Sequence, residues 1–280
     1  MSANTGIPPG FDRQRHLEAL AHIAEWGGDH PRLQAELVQA VRQTAPLLAD
    51  LPPCLPAPLW PELILPIDRV AQIPAGRIQR APISVEIAAR IARPDMPAVT
   101  DALRTLGLRL KTGQAMSRDL VALQAALLPG TLSGIRKDSI ALRRADESID
   151  FQAPPAPLLE EGMALLMAQA NRAVAAGNLA LLAACYASIN FLHPFADGNG
   201  RTSRRLLLAG IGACLDRDLS QLPIDLVVWS NRTYHDYRLR QITQAGQWSA
   251  WVAFLLQMLT HALTRLPALI GSIPPGEGRV

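Results

Sequence analysis

LALLAACYASINFL (Leu179–Leu192) and HPFADGNGRTSR (His193–Arg204) are the two adjoining stretches that decide the fold. The first stretch is apolar on almost every side of a helix, which is typical of a helix at the centre of a core. Asn178 is a favourable residue to begin this helix, and Pro194 disfavours helical geometry in the residue before it. We therefore expect a buried helix that ends where the second stretch begins.

Glycines and arginines indicate what the second stretch can bind. Gly198 and Gly200 allow the loop to adopt positive φ and to turn its N–H groups toward a bound group. A further helix is predicted from about Arg201 to Leu215, with its positive N-terminal end facing the same loop. Arg201 and Arg204 lie on one side of its polar entrance, where two cations oppose the helix dipole. This arrangement makes sense if a polyanion binds there.

An acid and an imidazole complete this stretch. Asp197 is a natural ligand for a Mg²⁺ ion that also contacts phosphates. His193 can accept a proton from an attacking hydroxyl near neutral pH. Each residue alone has an ordinary explanation as part of a turn or of a solvated face. Their combination in one loop favours phosphoryl or nucleotidyl transfer.

The second stretch resembles the signature of the Fic family, His-Pro-Phe-x-Asp/Glu-Gly-Asn-Gly-Arg-x-x-Arg, at all nine defined positions. The resemblance covers about residues 115–265 and implies an all-α fold class: a Fic-type helical bundle with a short β-hairpin flap, here with a helical N-terminal extension. Gly134-Ile135-Arg136 resembles the Gly-x-Arg that precedes the flap, and Phe151–Pro155 resembles the segment that closes it. Tyr234–Arg238 and Gln247–Trp251 resemble two C-terminal helices of the family.

This resemblance implies a protein adenylyltransferase, which moves AMP from ATP to a Ser, Thr or Tyr hydroxyl of a target protein and releases pyrophosphate. His193 would be the general base on that hydroxyl, Asp197 would hold Mg²⁺ against the α- and β-phosphates, and Phe195 would anchor the loop. The nucleotide would be bound by Asn199 and the N–H groups of Gly198 and Gly200 as an anion hole, by Arg201 near the β-phosphate and by Arg204 at the γ-phosphate.

Alternating apolar residues around a charged turn predict one hairpin, at Ile140, Leu142, Ile149 and Phe151. The resemblance makes the hairpin at Lys137–Phe151 the flap, which clamps target backbone by strand addition and needs little sequence specificity. The residues assigned to this contact are Lys137, Ser139, Ile140 and Leu142.

The sequence differs from the family pattern at two supporting positions and in the segment that inhibits the activity. Tyr186 and Gln124 occupy positions where many relatives have His, and we interpret both as supporting residues. No inhibitory Ser/Thr-x-x-x-Glu-Gly/Asn helix is found, because Ser272–Gly278 has one residue too many and two prolines. Restraint of the activity is therefore absent, divergent or supplied by a separate inhibitory protein.

Prolines divide the rest of the chain. Residues 1–50 are predicted to be a helical segment, 51–80 a proline-rich connection, 81–112 a helical pair, 113–265 the catalytic domain and 266–280 a tail. Within the pair, Ser84–Leu106 has the layout of a helix-turn-helix, although ordinary packed helices explain it equally well.

The amino-acid composition excludes some classes of protein. Of 280 residues, 49% are hydrophobic and 18% charged, which is enough for a large core and excludes a disordered chain. A net charge of +3 does not indicate a nucleic-acid or membrane partner. The three scattered cysteines, and the lack of a signal sequence or an apolar run of about 20 residues, predict a soluble cytoplasmic protein without membrane contact.

Alternatives to adenylyl transfer stay open. A Fic-fold enzyme could use another nucleotide or phosphate donor, although relatives that transfer a terminal phosphate have Lys at the position of Gly200. A non-catalytic regulator could bind DNA or a partner through residues 84–106, with DNA the less expected of the two. Of the other candidates, Cys185, Trp248 and Trp251 are interpreted as core, and His235 either approaches the nucleotide or lies on an exposed helix face.

Overall fold

The computed structural model describes residues 30–51, 55–66, 97–143 and 149–273. One pair of short antiparallel strands is found among them, β1 (Ala141–Arg143) and β2 (Ile149–Gln152), and short 3-10 helices lie at Ala45–Asp50, Ala57–Leu63 and Ala156–Leu158. The same residues form nine α-helices: α1 (Pro31–Thr44), α2 (Pro97–Lys111), α3 (Ser117–Leu127), α4 (Leu159–Ala175), α5 (Leu179–Leu192), α6 (Asn199–Leu215), α7 (Ile224–Ser230), α8 (Arg232–Ala245) and α9 (Trp248–Gly271).

Helix α5 lies at the centre of the bundle and packs against α4, α6 and α9. It has the predicted bounds, and the side chain of Asn178 accepts a hydrogen bond from the Leu181 N–H at 2.9 Å, as expected of an N-cap. Helix α6 approaches α5 so closely that a Cβ on Gly210 would lie 2.6 Å from the Leu182 side chain. Glycine is therefore required where the two helices that flank the candidate site pack together.

The N-terminal helix α1 packs along α9 and is tied to the core by two side chains. Gln34 accepts a hydrogen bond from the Leu179 N–H at 2.8 Å, and the Thr44 hydroxyl donates to the Leu263 carbonyl at 2.8 Å. Pro267 lies within α9 and lacks the N–H that would otherwise reach the Leu263 carbonyl. Thr44 therefore satisfies the carbonyl that this proline leaves without its helical partner.

We expect Thr44→Val to lower the free energy of unfolding by about 1–3 kcal/mol, because the near-isosteric change leaves a buried carbonyl unsatisfied. Urea titration measures this change. The control is Thr264→Val, whose exposed hydroxyl donates to the Thr260 carbonyl at 2.7 Å and whose loss should stay within about 0.5 kcal/mol. Equal losses in the two variants would contradict the role assigned to Thr44.

The predicted helical class is confirmed for the described residues. Strands β1 and β2 pair within the segment predicted as a hairpin, with Leu142 opposite Phe151, Arg143 opposite Ile149 and an irregular register between the two positions. Residues 144–148, which would form the turn, lie outside the described residues. The use of this strand pair as a flap stays a prediction.

The start of helix α6 differs from the prediction. Helix α6 begins at Asn199 rather than near Arg201, because Gly198 adopts the left-handed conformation (φ 87°) and serves as its N-cap. Helix α9 continues to Gly271, past residue 265, where the catalytic domain was predicted to end. Its passage through Pro267 is explained by the compensating hydrogen bond from Thr44.

Part of the predicted proline-rich connection is packed against the helices. The Asn231 side chain, between α7 and α8, accepts a hydrogen bond from the Leu65 N–H at 2.8 Å and donates to the Leu63 carbonyl at 2.9 Å. Leu55, Trp60, Leu63 and Leu65 are buried. This part of the connection therefore contributes these four side chains to the core.

Helix α2 contains the second helix of the predicted helix-turn-helix. It packs on α3 and α6 through Leu103, Leu106 and Leu110, which are buried. Residues 84–96, which would supply the first helix, lie outside the described residues, so the motif stays a prediction.

Helix α9 has the length and apolar composition of a membrane-spanning helix, and it is the one such helix among the described residues. Half of its most apolar window is buried inside the bundle, as in a core helix that passes the same test.

Candidate functional site

The loop between α5 and α6 is held closed by a buried amide. His193 ends α5 in the left-handed conformation (φ 45°, ψ 55°), and its N–H donates to the Ile189 carbonyl at 2.9 Å. Phe195 is fully buried, as predicted for an anchor. The Asn199 side chain accepts from the Phe195 N–H at 2.9 Å and donates to the Phe195 carbonyl at 2.8 Å. These two bonds hold the end of α5 next to the start of α6.

Gly198 is required in this loop for two reasons. Its φ of 87° is strained for residues with a side chain, and a Cβ would lie 2.6 Å from the Leu128 side chain. Gln124 is buried beside it, and its Nε2 donates to the Asp197 carbonyl at 3.2 Å. Helix α3 thus holds the loop in place through Gln124, in agreement with the interpretation of Gln124 as a supporting residue.

The first turn of α6 presents N–H groups at the loop. Those of Asn199, Gly200 and Arg201 have no acceptor within the helix because of their position in its first turn. Gly200 does not take the positive φ that the sequence suggested. A Cβ on Gly200 would instead lie 3.1 Å from Nη1 of Arg204, so glycine leaves room for that guanidinium beside the first turn.

Two of the predicted anion-hole donors are engaged within the loop itself. The Asn199 side chain bonds to the backbone of Phe195, and the Gly198 N–H donates to Oδ1 of Asp197 at 2.6 Å. Both residues therefore shape the loop in this structure. The donors in a position to reach an anion are the first-turn N–H groups of α6.

Asp197 and Arg201 form an exposed pair at the mouth of the loop. Oδ2 of Asp197 lies 3.2 Å from Nη2 of Arg201, and the Asp197 side chain is 67% exposed. Among the described residues, no three His, Cys, Asp or Glu side chains converge as a metal site. A single accessible carboxylate fits Mg²⁺, which binds one or two carboxylates and takes its other ligands from phosphates and water.

Arg204 is buried, whereas the sequence placed it at a polar helix entrance. Its side chain is 12% exposed and forms an ion pair with Asp225 of α7, which also pairs with Arg205 at 2.7 Å. Burial alone would raise the pKa of Asp225, but the guanidiniums of Arg205 and Arg204 hold this pKa below its ordinary value. The sequence contained no local signal for Asp225, because it lies 21 residues beyond Arg204.

Arg136 is a second residue to which sequence reasoning assigned no role, although the resemblance marked its position. It is buried before β1, its N–H donates to the Pro194 carbonyl at 2.8 Å, and its Nε donates to the His193 carbonyl at 2.7 Å. Nη2 also donates to the Pro154 carbonyl at 2.6 Å. A cation at the C-terminus of a helix is favourable, so Arg136 both stabilises the end of α5 and joins it to the strand pair.

The environment of His193 favours its neutral form. Burial lowers the pKa of this imidazole, and the nearby Arg136 guanidinium lowers it further. The hydrogen bond to the Asn190 backbone and the charge of Asp197 oppose this shift but do not cancel it. His193 is therefore suited to accept a proton at neutral pH.

The residues predicted to contact a target lie on the segment that leads into β1. Lys137 and Ser139 are exposed, and Ile140 is half-buried. The Ile140 carbonyl accepts a hydrogen bond from the Ala153 N–H at 3.0 Å, and the backbone of Leu142 pairs within the strands.

The other candidates lie in the core. Trp248 and Trp251 are buried, as predicted, and so is Cys185, whose pKa burial raises to about 12. His235 does not lie on an exposed helix face: it is buried on α8 next to Tyr186.

Fold and site together define a helical protein in which a loop between two core helices carries a histidine, a carboxylate and two arginines. Residues 115–209 match the model of the Fic/DOC family. A solved Fic family protein from Desulfovibrio desulfuricans G20 has a similar fold, with a TM-score of 0.52 and 20% identity over 96% of this chain and 78% of that one. At this identity the likeness shows the fold alone. No curated protein matches the chain.

Proposed function

We propose that the protein is an adenylyltransferase that moves AMP from ATP to a Ser, Thr or Tyr hydroxyl of a target protein and releases pyrophosphate. The observation that carries the proposal is the junction of α5 and α6, where a neutral His193 and the first turn of α6 are held together by Asn199 and Arg136. The match of residues 115–209 to the Fic/DOC family model supports it.

His193 acts as the general base. Its neutral imidazole takes the proton of the target hydroxyl while that oxygen bonds to the α-phosphorus of ATP. The bond from the α-phosphorus to the oxygen that bridges to the β-phosphate breaks, and pyrophosphate leaves with the electron pair. Because the His193 carbonyl is bonded to Arg136, the base is attached to a fixed piece of backbone, which favours a reactive geometry.

The start of α6 binds the phosphates. The N–H groups of its first turn, Arg201 and Arg204 supply positive charge along the triphosphate, and their positions are set before the substrate binds. Asp197 would hold Mg²⁺, which neutralises charge on the phosphates when it is bound.

The strand pair presents the target. A peptide segment that adds to β1 gains main-chain hydrogen bonds whatever its side chains, so the target is selected by shape rather than by a sequence motif. Arg136 connects this strand pair to His193, which would place an added segment near the base.

ATP labelled at the α-phosphate tests the proposal. The protein is incubated with labelled ATP, Mg²⁺ and a cell lysate, in parallel with ATP labelled at the γ-phosphate and with the His193→Ala variant. We expect protein bands labelled from the α-phosphate only, and no label with the variant or without Mg²⁺. Label from the γ-phosphate alone would show phosphate transfer instead, and the absence of any label together with salt-sensitive binding to duplex DNA would favour the regulator.

The acid side of the pH profile is a further prediction. A base whose pKa is lowered stays neutral to a lower pH, so transfer should be lost only as the pH falls through that lowered pKa. We expect kcat/KM to reach half of its plateau below pH 6.5, the ordinary value for histidine. The measurement is the rate at limiting ATP across pH at constant ionic strength. A midpoint above 6.5 would contradict the environment described for His193.

A further inference from the structure

One carboxylate of α7 is shared by two buried arginines near the start of α6. Oδ1 of Asp225 accepts a hydrogen bond from Nε of Arg204, and Oδ2 accepts one from Nη2 of Arg205 at 2.7 Å. The side chains of all three residues are largely buried. No other carboxylate of the described residues pairs with either guanidinium, so the cluster keeps one excess positive charge.

Asp225 holds Arg204 through a single nitrogen, Nε. This atom carries one of the five N–H donors of a guanidinium, and Nη1 and Nη2 carry the other four. A carboxylate that binds arginine through two parallel N–H bonds uses both of its oxygens. Here the second oxygen of Asp225 is occupied by Arg205, so the contact with Arg204 stays at Nε.

The Nη end of the same guanidinium lies against the first turn of α6. A Cβ on Gly200 would lie 3.1 Å from Nη1 and 4.0 Å from Nη2 of Arg204. The N–H groups of this turn, including that of Gly200, have no acceptor within the helix. With Nε fixed by Asp225, the Nη atoms are therefore held beside the N–H groups that can reach an anion.

We propose that Asp225 is a positioning residue for Arg204 in nucleotide binding, and that Arg205 contributes by occupying the carboxylate oxygen that would otherwise bind an Nη atom. The Nη donors of Arg204 are thereby directed to the terminal phosphate of ATP. This inference rests on the proposed function, because it takes Arg204 as the group that binds the γ-phosphate. The negative charge of that phosphate compensates the excess positive charge of the cluster.

The substitution that tests this role keeps the charge balance. Removal of Asp225 alone would take a negative charge away from the triphosphate and strengthen ATP binding by electrostatics. The double variant Asp225→Leu with Arg205→Met removes one charge of each sign, so the net charge of the cluster is unchanged. Apolar side chains of similar size often replace a buried ion pair without loss of stability. Arg204 then lacks its Nε acceptor and its fixed orientation.

Calorimetry of the full chain compares Mg-ATP with Mg-ADP, which lacks the γ-phosphate. We expect the double variant to bind Mg-ATP about tenfold more weakly, the effect of one lost hydrogen bond to a charged group, and Mg-ADP within about twofold of wild type. Thermal unfolding confirms that the variant is folded. Equal weakening of both nucleotides, or an unchanged ATP affinity, would overturn the proposal.

Arg205→Met alone tests the second part of the proposal in a protein that retains the ion pair between Asp225 and Arg204. The released carboxylate oxygen should bind an Nη atom of Arg204, so ATP affinity should fall while ADP affinity stays within about twofold. Arg205→Lys should retain the ATP affinity, because its ammonium group still occupies that oxygen. A loss that is equal for ATP and ADP would indicate a purely electrostatic effect and overturn the role of Arg205.

Hydrogen exchange of the arginine Nε–H groups, followed by NMR, tests the anchor without any nucleotide. The Arg204 signal is assigned by its loss in Arg204→Lys. The buried Nε–H that Asp225 holds should exchange at least about tenfold more slowly than that of the exposed Arg104, and the double variant should remove this difference. Equal exchange at the two arginines of the wild type would overturn the proposal.

The matched control is the double variant Asp101→Leu with Arg104→Met, which removes an exposed pair on α2. Both nucleotide affinities should be unchanged, because this pair lies outside the α5–α6 junction. A wild-type protein that binds neither nucleotide would contradict the proposed function. A wild-type protein that binds both, with a folded double variant at Asp225 and Arg205 that binds them equally well, would overturn only the positioning role.

Discussion

His193→Asn is expected to reduce AMP transfer by about 10²–10⁴-fold, the contribution that a general base makes to a reaction. Asn suits this position because it tolerates the left-handed backbone that residue 193 adopts, whereas Ala adds strain there. Its carboxamide cannot take the proton of the attacking hydroxyl. The loss should therefore appear in kcat, with nucleotide affinity nearly unchanged.

The measurement is the single-turnover rate with α-labelled ATP and one target protein, accompanied by thermal unfolding. The control is His261→Asn, since His261 is half-buried on α9, contacts the Glu62 carbonyl and lies outside the α5–α6 junction. We expect the control to retain the wild-type rate. A His193→Asn variant that transfers AMP within about fivefold of wild type would mean that another group takes the proton.

Asp225→Asn is expected to lower the free energy of unfolding by about 3–5 kcal/mol, the cost of removing one partner from a buried ion pair. Its carboxylate compensates Arg204 and Arg205, whose side chains are 12% and 18% exposed. An amide of the same shape keeps the packing but leaves two guanidiniums without a counter-charge. The effect should exceed that of Thr44→Val, because it concerns charges rather than a neutral hydrogen bond.

Urea titration at neutral pH measures this loss, and Asp101→Asn is the matched control. Asp101 pairs with Arg104 on the surface of α2, with side chains 74% and 61% exposed, so its loss should be below about 1 kcal/mol. Similar small losses in both variants would show that the Asp225 pair is solvated.

The same comparison has a pH dependence. The folded protein holds the pKa of Asp225 below its unfolded value, so the carboxylate contributes its full stability above that unfolded value, near 3.8. This contribution is lost as the pH falls through the lowered folded pKa. The difference between wild type and Asp225→Asn should therefore shrink in acid.

The loop and helix α5 could be predicted from the sequence because their signals are local. Apolar residues on every side of a helix indicate burial, Asn178 and Pro194 mark the two ends, and Gly198 marks a left-handed turn. The helical class and the bounds of α5 are confirmed for this reason. The start of α6 was predicted two residues late, because the capping conformation of Gly198 depends on the loop around it.

The role of Asn199 could not be predicted from the residues next to it in the sequence. Its residue type suits an anion hole, but the structure uses its side chain to close the loop on Phe195. Similarly, a proline within a helix leaves one carbonyl without its helical partner, and α9 continues through Pro267 because Thr44 satisfies that carbonyl. In both cases a neighbour selected one of two arrangements that the residue alone permits.

The sequence by itself determined the buried helix, the loop that follows it and the types of reactive group within that loop, because each depends on residues within a few positions of one another. Only the tertiary structure decided which groups hold those residues in place. Arg136 reaches His193 across 57 positions, His235 reaches Tyr186 across 49, and Asp225 reaches Arg204 across 21. Such contacts form where packing brings distant segments of the chain together. A buried charge or hydroxyl needs a hydrogen-bond partner, and the packing decides which group lies close enough to be that partner.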